Sequence, residues 1–160
     1  MDHNLQTSFY FSVSISGMSS SDAAFQEVLG LSKEMGSEDV VCGGENRFKY
    51  RLPTITTFSN LVLKRGVTTG ESPLIAWVKD TLDDGLANPI HTKDIRVRLL
   101  DEKGNVSMQW DFVAAYPVKW SASDLKSQDG EVFIETLEFS YRYFEVEDSR
   151  SPQLDLYGDA

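Results

Sequence analysis

The stretch that decides the fold is IRVRLLDEKGNVSMQWDF, residues 95–112. Ile95, Val97 and Leu99 alternate with Arg96 and Arg98, DEKGN turns the chain, and Val106, Met108, Trp110 and Phe112 alternate on the return. Successive side chains of an extended chain point to opposite faces, so the pattern is an antiparallel hairpin with one apolar face. On its C-terminal side a strand continues from Phe112 to Trp120, and Pro117 within it predicts an edge or a bend. A long final strand runs from Glu131 to about Val146. Its apolar phase changes midway, with Val132 and Ile134 on one face and Leu137, Phe139, Tyr141 and Tyr143 on the other, which predicts a bulge or burial on both faces.

On the N-terminal side of the hairpin, ESPLIAWVKDTLDDGL (71–86) predicts a helix over about residues 73–85. Ser72 suits the N-cap, Pro73 the first helical position and Gly85 the C-terminal stop, while Leu74, Trp77, Val78 and Leu82 recur at helical spacing. Before it, RLPTITTFSNLVLKRG (51–66) raises a question of cover. Leu61, Val62 and Leu63 stand together without a polar partner, so this strand is apolar on both faces. Near the N-terminus, Phe9, Phe11, Val13 and Ile15 alternate with Tyr10, Ser12, Ser14 and Ser16 as a first strand, and FQEVLGLS (25–32) reads as its hairpin partner. Residues 33–49 are polar and glycine-bearing and read as a long extended loop, a length that usually has a functional reason.

Some six or seven strands with one mid-chain helix predict a mainly β protein, an antiparallel sandwich or barrel with an accessory helix. Residues 1–146 form the single domain of this reading and 147–160 an acidic tail. A chain of 160 residues, 41% hydrophobic and 25% charged, suffices for one core. Its net charge of -10 disfavours a surface built to neutralise phosphates. The single cysteine, Cys42, leaves no intramolecular disulfide and no cysteine-ligated zinc. The N-terminus carries an acid where a secretory signal carries a base, which places synthesis in the cytoplasm. No run approaches the roughly 20 apolar residues of a membrane span.

Chemistry is sparse. His3 and His91 lack the partners of a metal site and read as solvent-exposed. No nucleophile elbow is present, and a carboxylate pair for glycoside cleavage is a property of the fold that spacing does not reveal. Gly43 and Gly44 lack the strand-to-helix setting of a phosphate loop and read as a tight bend. Lys64 and Arg65 read as bases paired with acids nearby. The expectation is therefore no enzyme and no cofactor, with surplus apolar strand surface available for self-assembly or partner binding.

In order along the chain, FQEVLGLS, GGEN (43–46), YRLP (50–53), FSNLVLKRG (58–66), the Trp77 helix, the hairpin, AAYPVKW (114–120) and EVFIETLEFSYRYF (131–144) resemble the tail tube family of contractile phage tails and contractile injection systems. That family is related in fold to the haemolysin-coregulated protein of type VI secretion. Thr54 stands where the family often has glycine, and the acidic tail is longer than usual.

The resemblance implies six-membered rings stacked into a hollow tube inside a contractile sheath. Its partners would be further copies of itself, the sheath protein, baseplate and tube-terminator proteins, and effector or DNA cargo in an acidic lumen that repels anions. The particle would be a phage tail-like one, cytoplasmic, membrane-anchored or released. The implied subunit and ring contacts are Gly43, Gly44, Glu45, Asn46, Arg47, Leu52, Pro53, Leu61, Val62, Leu63, Lys64, Arg65 and Gly66. A neighbour would cover the second face of FSNLVLKRG, and Lys64 and Arg65 would pair with acids such as Glu45 or Asp39 of that neighbour. A tube-initiating baseplate ring is the nearest alternative. A monomeric carbohydrate-binding sandwich using Trp110, Trp120 or Tyr141 is the alternative from another class.

Overall fold

A computed structural model describes residues 9–19, 25–41, 43–44, 49–67, 70–123 and 133–149. The hairpin at 95–112 forms β6 (Lys93–Leu100) and the start of β7 (Val106–Ala122), with Val97 opposite Trp110 and Ile95 opposite Phe112. Its turn is fixed by Asp101, whose carboxylate accepts from the backbone amides of Lys103 at 2.9 Å and Asn105 at 2.8 Å. β1 (Tyr10–Ile15) lines the other edge of β6, so the first strand pairs with residues 95–100.

FQEVLGLS is not the hairpin partner of β1. Its strand, β2 (Glu27–Leu29), pairs with β5 (Leu61–Gly66). The apolar alternation of both segments is compatible with any neighbour, so periodicity did not choose the pairing.

The final strand is interrupted at Tyr141 and Arg142 into β8 (Ile134–Ser140) and β9 (Tyr143–Asp148). Both pair with the 17-residue β7, β9 with residues 108–113 and β8 with residues 116–122. The phase change lies later than the sequence reading placed it: Leu137, Phe139 and Tyr141 share the core face, and then Phe144 and Val146 take over. Tyr143 is exposed. Opposite this break β7 bends at Ala114, whose φ of 55° is the one positive value at a non-glycine among the described residues. Asp94 holds the bend by accepting the Ala114 amide at 3.0 Å. Pro117 follows on a strand segment paired only with β8 among the described residues, as its missing N–H requires.

The bent β7 and β8–β9 pair therefore joins two four-stranded sheets, β1-β6-β7-β9 and β2-β5-β8-β7. Phe112, Phe139, Phe144, Leu61, Leu63, Leu137, Ile95 and Val97 fill the space between them. Each such side chain contributes about 1.5–3 kcal/mol on full burial. The helix, α1 (Pro73–Asp84), starts at Ser72, whose hydroxyl accepts the Ile75 amide at 3.4 Å, and ends at Gly85. Leu74, Trp77 and Val78 are buried, Trp77 stacking on Phe139, whereas Leu82 is exposed. The expected tail begins inside β9, since Glu147 and Asp148 belong to that strand, and residues 150–160 lie outside the described residues.

Candidate assembly surface

The first eight residues of the expected loop, 33–40, are a strand. β3 (Lys33–Val40) pairs with β4 (Tyr50–Phe58), Met35 opposite Thr56 and Glu38 opposite Leu52, with an irregularity at Gly36. The segment lacks apolar alternation of the usual kind because its own chain covers neither face. Nearly all of it is exposed. At its base the arm is fastened to the body: Phe58 packs edge-on against Tyr141 and Phe144, and the Lys33 ammonium lies 4.8 Å from the Phe144 ring centre. Gly30, with φ of 87°, passes so close to the Asn60 carbonyl that no side chain fits there. Beyond that base, alternation puts Val40, Tyr50, Leu52 and Ile55 on one face of the arm, and all are exposed, Ile55 by 86%.

The bodies of the two sheets end in unpaired strands. Among the described residues β1 bonds only to β6, β9 only to β7, β2 only to β5, and the C-terminal half of β7 only to β8. Such edges present free N–H and C=O groups, a template for another chain.

The expected contact residues fall into three groups. Gly43, Gly44, Leu52 and Pro53 lie exposed on the arm or the turn at its end, and Glu45, Asn46 and Arg47 lie outside the described residues. Leu61, Leu63 and Arg65 are turned into the chain's own core and are fully covered there. Val62, Lys64 and Gly66 are half-buried, Val62 standing between Leu29 and Glu138 on the outer face of the second sheet. Leu61-Val62-Leu63 thus alternates after all, and only Val62 faces outward.

Lys64 and Arg65 both have partners within the chain. Lys64 sits 3.7 Å from Glu27, and Asp39 pairs with Arg51 of its own arm at 3.7 Å. Arg65 is buried and donates from Nε to Glu135 at 2.5 Å and from Nη2 to the Ser72 hydroxyl at 3.2 Å, with Phe25 stacked 5.6 Å from the guanidinium. The Trp120 indole donates to the other Glu135 oxygen at 3.1 Å. This network ties β5, β8 and β7 to the N-cap of α1. Glu135 was hidden in sequence because it occupies a core phase, between Leu137 and the strand start, where an apolar residue is expected.

Among the described residues no group of His, Cys, Asp and Glu is arranged for a metal, and no helix is long and apolar enough to cross a membrane. His91 is exposed, its carbonyl accepting the Trp77 indole at 2.8 Å. His3 lies outside the described residues. Trp110 and Tyr141 pack against the core and offer no platform for a sugar, while Trp120 is half-exposed.

Residues 7–145 match the family of the T4-like virus tail tube protein gp19. Among solved structures, a chain in the anti-feeding prophage baseplate is 27% identical over 89% of this chain and 94% of its own, with a TM-score of 0.74. A chain of the sheath-tube complex of the extracellular contractile injection system PVC is 20% identical over 86% and 88%, with a TM-score of 0.70. The Hcp1 protein of Flavobacterium johnsoniae shares the fold at 20% identity over 86% and 94%, with a TM-score of 0.52. No curated protein sequence matches the chain.

Proposed function

The chain belongs to the tail tube protein family of T4-like viruses, and from that premise we propose that it is a structural subunit of rings that stack into the inner tube of a contractile injection system. The observation that carries the proposal is the combination of free sheet edges and an exposed two-stranded arm on one chain. In the first sheet β1 runs antiparallel to β6, β6 to β7 and β7 to β9, so β9 of one copy beside β1 of the next continues the antiparallel alternation. Six copies, the symmetry of the related baseplate structure, close such a sheet and remove its edges. The arm then supplies contacts across copies, with Gly43, Gly44, Leu52 and Pro53 among them. Val62, beside Leu29, is the part of β5 that a neighbour would cover.

Sheath, baseplate and terminator proteins are the partners this role requires, and the work is mechanical, not catalytic. Analytical ultracentrifugation tests the reading: hexamers and larger polymers growing with concentration support it, and a monomer at all concentrations sinks it. A second reading, a tube-initiating ring next to the baseplate, is favoured by the higher identity to the baseplate chain. It is distinguished by hexamers that do not extend.

A further inference from the structure

The arm and the edge of the second sheet are one ribbon with a bend in it. Leu29 of β2 faces Val62 of β5 before the break, and Lys33 of β3 faces Phe58 of β4 after it. Four residues advance on one strand and four are returned on the other, so the register passes through without an inserted residue and the break is a bend, not a bulge. Only residues 30–32 and 59–60 lie in it, so their backbone sets the direction in which the arm leaves the body.

These two short links are tied to each other and to the body. Ser32 and Ser59 share a hydrogen bond between their hydroxyls. Leu31 packs on the core, and the Asn60 side-chain amide donates to Glu138 of β8 at 2.9 Å. Tyr141 reaches furthest. Its hydroxyl donates to the Ser59 carbonyl at 2.6 Å, while its ring lies edge-on to Phe112 at 4.8 Å and to Phe58, the last residue of β4, at 6.0 Å. This tyrosine stands at the interruption between β8 and β9, where both sheets meet on β7. One side chain therefore touches the core, the joint between the sheets and the root of the arm.

We propose that Tyr141 is the positioning residue of the arm: its hydroxyl on Ser59 latches the bend, so that a dispersed copy carries its arm already aimed for association. The second half of the proposal rests on the tube reading above. Ring contacts tolerate sliding, whereas a hydrogen bond is directional, so the hydroxyl fixes an angle that the rings only cushion. A contact element held beforehand in its bound direction removes the cost of ordering it from association.

The test uses the full chain with Cys42→Ser and with spin labels on Glu38→Cys in the arm and Asp83→Cys on α1, both exposed positions. Pulsed electron resonance of the dispersed protein is expected to give one narrow distance distribution. Tyr141→Phe keeps the ring and is expected to roughly double that width, since the directional constraint on the bend is gone. Val13→Ala destabilises the core from β1 and is expected to leave the width unchanged. An unchanged width in Tyr141→Phe, a distribution already broad in the parent, or equal broadening in Val13→Ala each overturns the latch. Without labels, Tyr141→Phe is expected to need about 2- to 10-fold more protein before polymers pellet, the factor that one hydrogen bond contributes. Polymers at the unaltered concentration overturn the link between latch and association. A parent chain with a narrow distribution that never polymerises overturns the tube reading, while the latch stands on the distance measurement.

Discussion

Arg65 and Glu135 show how single residues set the terms of this fold. A charge without its partner in a core is costly, whereas two apolar residues of similar volume in place of both are tolerated far better. Glu135→Ala is therefore expected to cost about 3–5 kcal/mol in urea unfolding of the dispersed protein. Arg65→Met with Glu135→Leu is expected to cost less than that single change. A double variant worse than the single one would show that the pair is not what the site depends on.

Asp101 makes a different, solvent-exposed case. Hydrogen bonds from the backbone of Asn105, then Lys103, hold its carboxyl below the ordinary value of 3.8. A depressed folded pKa means stability that is present above the unfolded value and lost as pH falls through the folded one. Asp101→Ala is thus expected to lower Tm at neutral pH and to leave it unchanged near pH 2; an equal loss at both would contradict a role for the carboxylate. At the alkaline end burial pushes the Tyr141 phenol above its ordinary value of 10.0, so its contribution holds below that value and fades as pH rises beyond it.

At the scale of elements, the arm and the hairpins obey the same backbone geometry yet were unequally visible. β6 and β7 announced themselves because one face is covered by the chain's own core, which imposes alternation on the sequence. β3 carries no such imprint, since its partner faces are solvent or another molecule, and its Lys33-to-Val40 composition looks like a loop. The helix was legible from Ser72, Pro73 and Gly85, whose roles are local. Pairing of β2 with β5 was not, because it depends on which strands the whole chain brings together.

The arm's apolar face gives the sharpest prediction at this scale. Leu52→Asp or Ile55→Asp touches no packed core, so the unfolding free energy of the dispersed chain is expected to change by no more than about 0.5 kcal/mol, the range of surface substitutions. Association is expected to fall steeply, because each apolar side chain buried between copies contributes on the order of 1.5–3 kcal/mol. Normal polymers from both variants in a pelleting assay would remove the arm from the interface.

For the whole molecule, the sheet architecture and the family were readable from segment order, while the contact set was readable only in part. Three residues expected at the interface, Leu61, Leu63 and Arg65, are occupied inside their own subunit, because a run of apolar letters does not say which faces are already covered. The fold adds the direction of each free edge among the described residues. The central claim is that these edges close a ring and the arm extends it. Negative-stain electron microscopy of the concentrated protein tests that claim most directly. Six-fold rings and hollow tubes are the expected result; a field of single 160-residue particles at every concentration would contradict it.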